Sequence, residues 1–165
     1  MTTPLLEPVL HQPQNPTHVL ARWGDLVLDV FLKPPSLREM EDIRHVYEHP
    51  DTPERFGLLV VLSPSLRTAP EANVRRAINA QLRRYQARIL AYTVVVELDG
   101  MLGTAARAVV QGMHMMEQWT FPVTVVESVA VGARFLCRHL PSREGLTEHA
   151  LQGAVEKVRR RGAAA

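Results

Sequence analysis

Apolar residues fall into short blocks along this chain, and the blocks alternate between two spacings. His18–Ala21 and Leu26–Leu32 are rich in β-branched and large apolar residues and flank Trp23-Gly24-Asp25, which predicts a β-hairpin. Pro34-Pro35 stops the second strand. Ser36-x-x-Glu39 has the form of a capping box and opens a helix to about Glu48. Phe56–Leu62 is a continuous apolar run, as expected of a strand covered on both faces. After a loop over 63–70, Val74, Ile78, Leu82, Tyr85 and Ile89 recur at helical spacing, with Arg76, Arg83, Arg84 and Arg88 on the other side.

The second half repeats the alternation. Tyr92–Glu97 reads as another covered strand, broken by Asp99-Gly100. A helix over 101–118 turns Leu102, Ala105, Val109, Met113 and Met116 inward and His114 and Met115 outward. Phe121–Val126 is the last strand, followed by a helix with Ala130, Ala133, Phe135, Leu136 and Leu140. Pro141 ends it, and Ser142 caps a final amphipathic helix to about Arg160 with Leu146, Ala150, Ala154 and Val158 on its apolar side. The expected class is α/β: a mixed sheet opened by a hairpin, then alternating helices and parallel strands, with an extra C-terminal helix. Residues 1–16, with four prolines, read as an irregular arm; 17–141 as one domain; 142–165 as the terminal helix and a basic tail.

Composition narrows the class. The chain has 165 residues, 46% hydrophobic and 22% charged, which excludes wholesale disorder and collagen-like repeats. A formal charge of +2 makes the whole protein no strong polyanion binder, although arginine supplies 17 of the 19 basic residues. A single cysteine, Cys137, allows no internal disulfide and points to a reducing compartment. No apolar run reaches the roughly 18 residues of a membrane span. Residues 1–16 lack a signal-peptide pattern, so the expected location is cytoplasmic, without membrane insertion.

The element order resembles the STAS domain, in particular its SpoIIAA-like branch. The resemblance covers about residues 18–140. It rests on the hairpin around Arg22-Trp23-Gly24-Asp25, the strands Phe56–Leu62 and Tyr92–Glu97, and most of all Phe121–Ser128 followed by Ala130, Ala133, Phe135 and Leu136. It implies a non-catalytic module that binds a protein partner in bacterial regulation or assembly and needs no cofactor. Anti-sigma factor antagonists of this type are switched by phosphorylation of a serine that follows an aspartate. The matching loop here offers Ser63, Ser65 and Thr68 but no Asp-Ser pair. A phosphate there would add about −1.5 to −2 charge beside a helix N-terminus and Arg67. The plainer reading is that Thr68 caps the helix and Ser63 ends the strand.

Other residues could carry chemistry. Arg76, Arg83, Arg84 and Arg88, with Arg75 beside them, form the largest local charge and, with Arg67 of the preceding loop, would suit an acidic protein partner; the scarcity of aromatics beside them gives base stacking little support. Gly100, Gly103 and Thr104 lie where a strand gives way to a helix, so their backbone could hold an anion or nucleotide, although the turn lacks a phosphate-loop signature. Glu97, Asp99 and Glu127 lie at neighbouring strand ends and keep an enzyme reading open, without a positioned base or nucleophile beside them. Glu41, His45 and His49 could present two imidazoles and a carboxylate, but nothing nearby closes a metal site, and solvated side chains are expected. Cys137 lies near a helix C-terminus, where the dipole opposes a thiolate. Met113, Met115 and Met116 suit either a core or an adaptable interface. A third reading, a structural subunit, would expose apolar area around Trp119 and the arm. The terminal helix could pack on the body or on a second copy, which makes a homodimer a further expectation.

Overall fold

In a computed structural model, residues 7–11, 17–66, 70–141 and 145–163 are described. The elements are β1 (Val9–His11), β2 (His18–Trp23), β3 (Leu26–Phe31), α1 (Leu37–Tyr47), β4 (Phe56–Leu62), α2 (Ala72–Tyr85), β5 (Ile89–Val96), α3 (Gly100–Met115), β6 (Val123–Val126), α4 (Val129–His139) and α5 (Glu148–Ala163). The six strands form one sheet in the order β1-β2-β3-β4-β5-β6. The first three are antiparallel neighbours, and β3 to β6 run parallel. The expected α/β class with an opening hairpin, parallel strands and a C-terminal helix is the observed one.

Local chemistry explains most of the boundaries. Trp23 pairs with Leu26, so Gly24-Asp25 is a two-residue turn and the hairpin register is fixed. Ser36 and Glu39 form the reciprocal capping box, which starts α1 one residue after Ser36. β4 occupies Phe56–Leu62, and its residues alternate between the two cores, as a strand covered on both sides must.

Three expectations change. Val9–His11, within the stretch read as an irregular arm, adds an edge strand, held where Arg22 Nε donates to His11 Nε2 at 2.7 Å. Ile89, counted as helical, begins β5: α2 ends at Tyr85, and Arg88 in the turn donates to the carbonyls of Tyr47, Pro53 and Glu54. The proposed cap Ser142 lies outside the described residues, and the last helix begins at Glu148.

The sheet separates two cores. On one side α4 and α5 pack on the strands through Ala133, Leu136, Leu151, Ala154 and Val158, every one of them buried. Gly132 lets α4 approach the sheet: a Cβ there would stand 2.8 Å from the Thr93 methyl. On the other side lie α1, α2 and α3. Met40, Ile43, Val46 and Tyr47 of α1 and Leu82 and Tyr85 of α2 join Phe31, Phe56 and Leu58 of the strands.

Helix α3 does not close this second side. Leu102 is 72% exposed, Val109 54% and Met116, which caps the helix, 89%, and Ala105 is exposed as well, so four of the five residues expected inward face solvent. The residues turned to the protein are Gly103, Ala106, Val110 and His114. The cause lies in the first turn. A Cβ on Gly103 would meet the Leu98 carbonyl oxygen at 1.7 Å, so only glycine fits there. Arg107 Nη1 donates to the carbonyls of Val96 and Leu98, at 3.3 and 3.1 Å. Together they pin the helix rotation on the stripe 103–106/107–110–114, which has helical spacing of its own. His114, expected outward, is therefore buried.

Candidate functional site

The open side of the sheet holds the most unusual chemistry of the molecule. Asp29 lies in the middle of β3, a strand otherwise made of Leu, Val and Phe, and is 3% exposed. Its side chain shares a face with Val27 and Phe31. His18 at the start of β2 shares that face and is buried against Phe31, ring centroids 5.3 Å apart. His18 Nδ1 lies 3.0 Å from Asp29 Oδ1, and Nε2 lies 3.6 Å from Asp42 Oδ2 of α1.

The imidazole therefore sits between two carboxylates. Burial alone would depress its pKa, but the hydrogen bond to Asp29 and the charges of Asp29, Asp42 and Glu39 outweigh burial and raise it. Burial raises the Asp29 carboxyl, and the bond from His18 works against that. Asp29 Oδ2 has no hydrogen-bond partner among the described residues. A buried acceptor left unpaired costs about 1–3 kcal/mol unless something else supplies the bond.

Asp29 lines a cavity of 90 Å³ together with Tyr47, Tyr92, Val94 and His114. The His114 ring stands edge-on to Tyr92 at 5.2 Å, and its Nδ1 is also unpartnered among the described residues. Burial lowers the His114 pKa, against the charge of Glu117, so the ring is neutral near pH 7. Outside this cavity, between the start of α3 and the ends of β4 and β5, lies an open apolar cleft of 370 Å³. Leu62, Leu66, Val96, Leu102, Ala105 and Val109 line it.

The arginines of α2 have varied surroundings. Arg76 is exposed. Arg83 Nε donates to Glu117 Oε2 at 3.0 Å, and Arg84 Nη2 lies 3.2 Å from Glu48. Both remain largely exposed, so these pairs contribute little to stability and leave charge at the surface. Arg88 is half-buried and engaged with three carbonyls. Arg67 and Thr68 lie outside the described residues. Ser65 Oγ donates to the Leu32 carbonyl at 3.0 Å and lies 3.2 Å from Ser63 Oγ, which holds the loop against the end of β3.

At the turn before α3, Gly100 takes a φ of 64° and Thr104 Oγ1 donates to the Gly100 carbonyl at 3.2 Å. Gly103 N–H points at the Asp99 carbonyl at 3.3 Å. Glu97 lies 2.6 Å from Arg159 of α5, while Asp99 and Glu127 are exposed. His45 lies beside Glu41, but α1 ends at Tyr47 and His49 turns towards Asp51 and the His11 ring. Among the described residues no three His, Cys, Asp or Glu side chains group as metal ligands. Burial pushes the Cys137 thiol up, away from a reactive thiolate.

The buried polar group escaped the sequence reading, although a signal for it was present. Asp29 interrupts Leu-Val-Leu-x-Val-Phe, where an unpaired charge has no place. No helix of the described residues is long and apolar enough to cross a membrane. Compared with known proteins, the chain matches no family model, no curated protein and no solved structure. The molecule is a mixed α/β domain with one sheet face closely packed and the other covered by helices that leave a cleft.

Proposed function

We propose that the chain is a non-catalytic protein-binding module of the STAS type, serving bacterial signalling or assembly. One observation carries the reading: α3 and its C-cap turn Met101, Leu102, Val109, Met115 and Met116 to solvent, the first 91% exposed. Contiguous exposed apolar side chains of this kind mark interaction surfaces, and methionine adapts to the shape of a partner.

The adjoining charge selects the partner. Arg83 and Asn79 of α2 reach Glu117 just beyond α3, so the arginine face and the methionine face adjoin. An amphipathic segment with an apolar stripe flanked by carboxylates is complementary to both. The element order and the apolar strands quoted above support the STAS reading, and the phosphoswitch is left aside because no Asp-Ser pair is present.

The test is affinity capture from a bacterial lysate with three baits. Wild type should retain an acidic partner that is lost with Arg76→Glu/Arg83→Glu/Arg84→Glu and, separately, with Met115→Lys/Met116→Lys. Recovery of the same proteins by all three baits overturns this surface. Sedimentation of the purified chain covers the homodimer: self-association that the Met115/Met116 variant abolishes would make a second copy the occupant instead.

A further inference from the structure

The inner cavity and the outer cleft share Pro35, Leu62, Pro70, Val110 and Met113, so they are two parts of one opening. The cleft alone, at 370 Å³, is within the range of small-molecule sites, roughly 300–1,000 Å³. Its walls are almost wholly aliphatic. The polar groups gather at the inner end, where Asp29 Oδ2 and His114 Nδ1 are both buried and both without a partner among the described residues. An apolar channel that ends beside two buried hydrogen-bonding groups without partners among the described residues suits an amphiphile that enters head first.

The head group follows from the charges around it. Asp29, Asp42 and Glu39 surround the single cation His18, which disfavours a carboxylate or phosphate head. An ammonium head would have to be stripped of water, at a cost of several kcal/mol, beside an aspartate whose negative charge His18 already meets. An uncharged hydroxyl donates one hydrogen bond and accepts another. It would give its proton to Asp29 Oδ2 and accept from the neutral His114 ring in the Nδ1–H tautomer.

We propose that this opening binds an uncharged, single-headed amphiphile: an aliphatic body along Leu62, Val96 and Val110, with a hydroxyl on Asp29. This site meets the docking face only at Leu102 and Val109; Met101, Met115, Met116 and the α2 arginines do not line it.

The experiment titrates the full chain with 1-octanol, 1-decanol, decanoate and decylamine, following the His114 ring nitrogens by NMR. The alcohols should bind and shift those signals, with affinity rising roughly fourfold per added methylene. Decanoate and decylamine should bind at least roughly tenfold more weakly than 1-decanol. Ala105→Trp, at an exposed position on the cleft wall, should keep the fold and abolish alcohol binding. Asp29→Asn should weaken it roughly tenfold. Met101→Lys should leave it unchanged, so loss of protein docking and loss of alcohol binding are told apart. No alcohol binding, equal binding of decanoate, tighter binding of decylamine, or unaltered binding by Ala105→Trp each overturns the proposal.

Discussion

Helices α3 and α4 make opposite uses of similar material. Both are apolar along much of their length, both follow a parallel strand, and both carry a glycine that brings them against the strands or their ends. In α4 the glycine, fourth residue of the helix, abuts the side chains of Thr93, Val95 and Leu59 on the sheet, and Ala133 and Leu136 beside it are wholly buried. In α3 the glycine is also the fourth residue, but it abuts the Leu98 carbonyl beyond the end of β5, and the rest of the helix leans on the sheet through Ala106, Val110 and His114 while its larger side chains point away. Apolar spacing specifies a helix in each case. What decides whether its large side chains are buried is what the pinned turn rests on: the face of the sheet in α4, the chain beyond a strand end in α3.

Variants on the two faces should separate accordingly. The largest effect belongs to the buried charge pair. Asp29→Ala leaves His18 buried with one carboxylate fewer and should cost about 3–5 kcal/mol in urea unfolding. Next is the closed face: Leu136→Ala should cost about 2–5 kcal/mol, because the packed surroundings relax only in part. Gly103→Ala sets a Cβ against the Leu98 carbonyl and should cost about 1–3 kcal/mol, with loss of exchange protection confined to α3. If Gly103→Ala instead unfolds the whole domain cooperatively, α3 is not the loosely held helix described above. The smallest effect is on the open face, where Leu102→Lys and Met116→Lys should stay within about 0.5 kcal/mol of wild type.

Acidity sharpens the same contrast. The folded-state pKa of His18 is raised, so the stability it lends is complete below 6.5 and is lost as pH rises through its folded value. Asp29 is also raised and has the same sign. Glu39 is lowered and acts only as pH falls below 4.5. Urea midpoints should therefore fall from about pH 6 to about pH 9 in wild type, and more weakly in His18→Phe. At the sheet edge the sign reverses. Burial, Arg22 and His49 depress His11 to about 4 against the pull of Asp51, so its contribution is complete above 6.5 and is lost as pH falls towards about 4. Protection factors of the β1 amides, with the intrinsic pH dependence of exchange divided out, should fall over that interval while those of β4 stay high.

Much of the fold could be read in the chain because its elements are locally signalled. The Ser36–Glu39 box, the Phe56–Leu62 run and the Pro141 stop are decided by neighbours in sequence, and they fall where expected. Val9–His11 could not be read this way: three residues become a strand only because the free edge of β2 and Arg22 receive them. The rotation of α3 was hidden for a related reason. It depends on two carbonyls of a preceding segment and one arginine reaching back to them, a long-range constraint that periodicity does not record. The arginines of α2 stood out as a stripe, yet Arg88 had already been taken up by the turn that follows Pro53. The polar floor of the cavity joins Asp29 of β3, Tyr92 of β5 and His114 of α3, and only the lone aspartate in an apolar strand announced it.

The strand order has a consequence of its own. In open α/β sheets that bind nucleotides, consecutive strands first run outward to one side and then back from the centre to the other, and helices part where the direction reverses. Here the parallel strands β3 to β6 advance one place at a time without turning back, and the three connecting helices all lie over the same core. Such winding has no seam at which helices separate by topology. An entrance into this fold must be made by packing alone, and the shallow seat of its last connecting helix makes one.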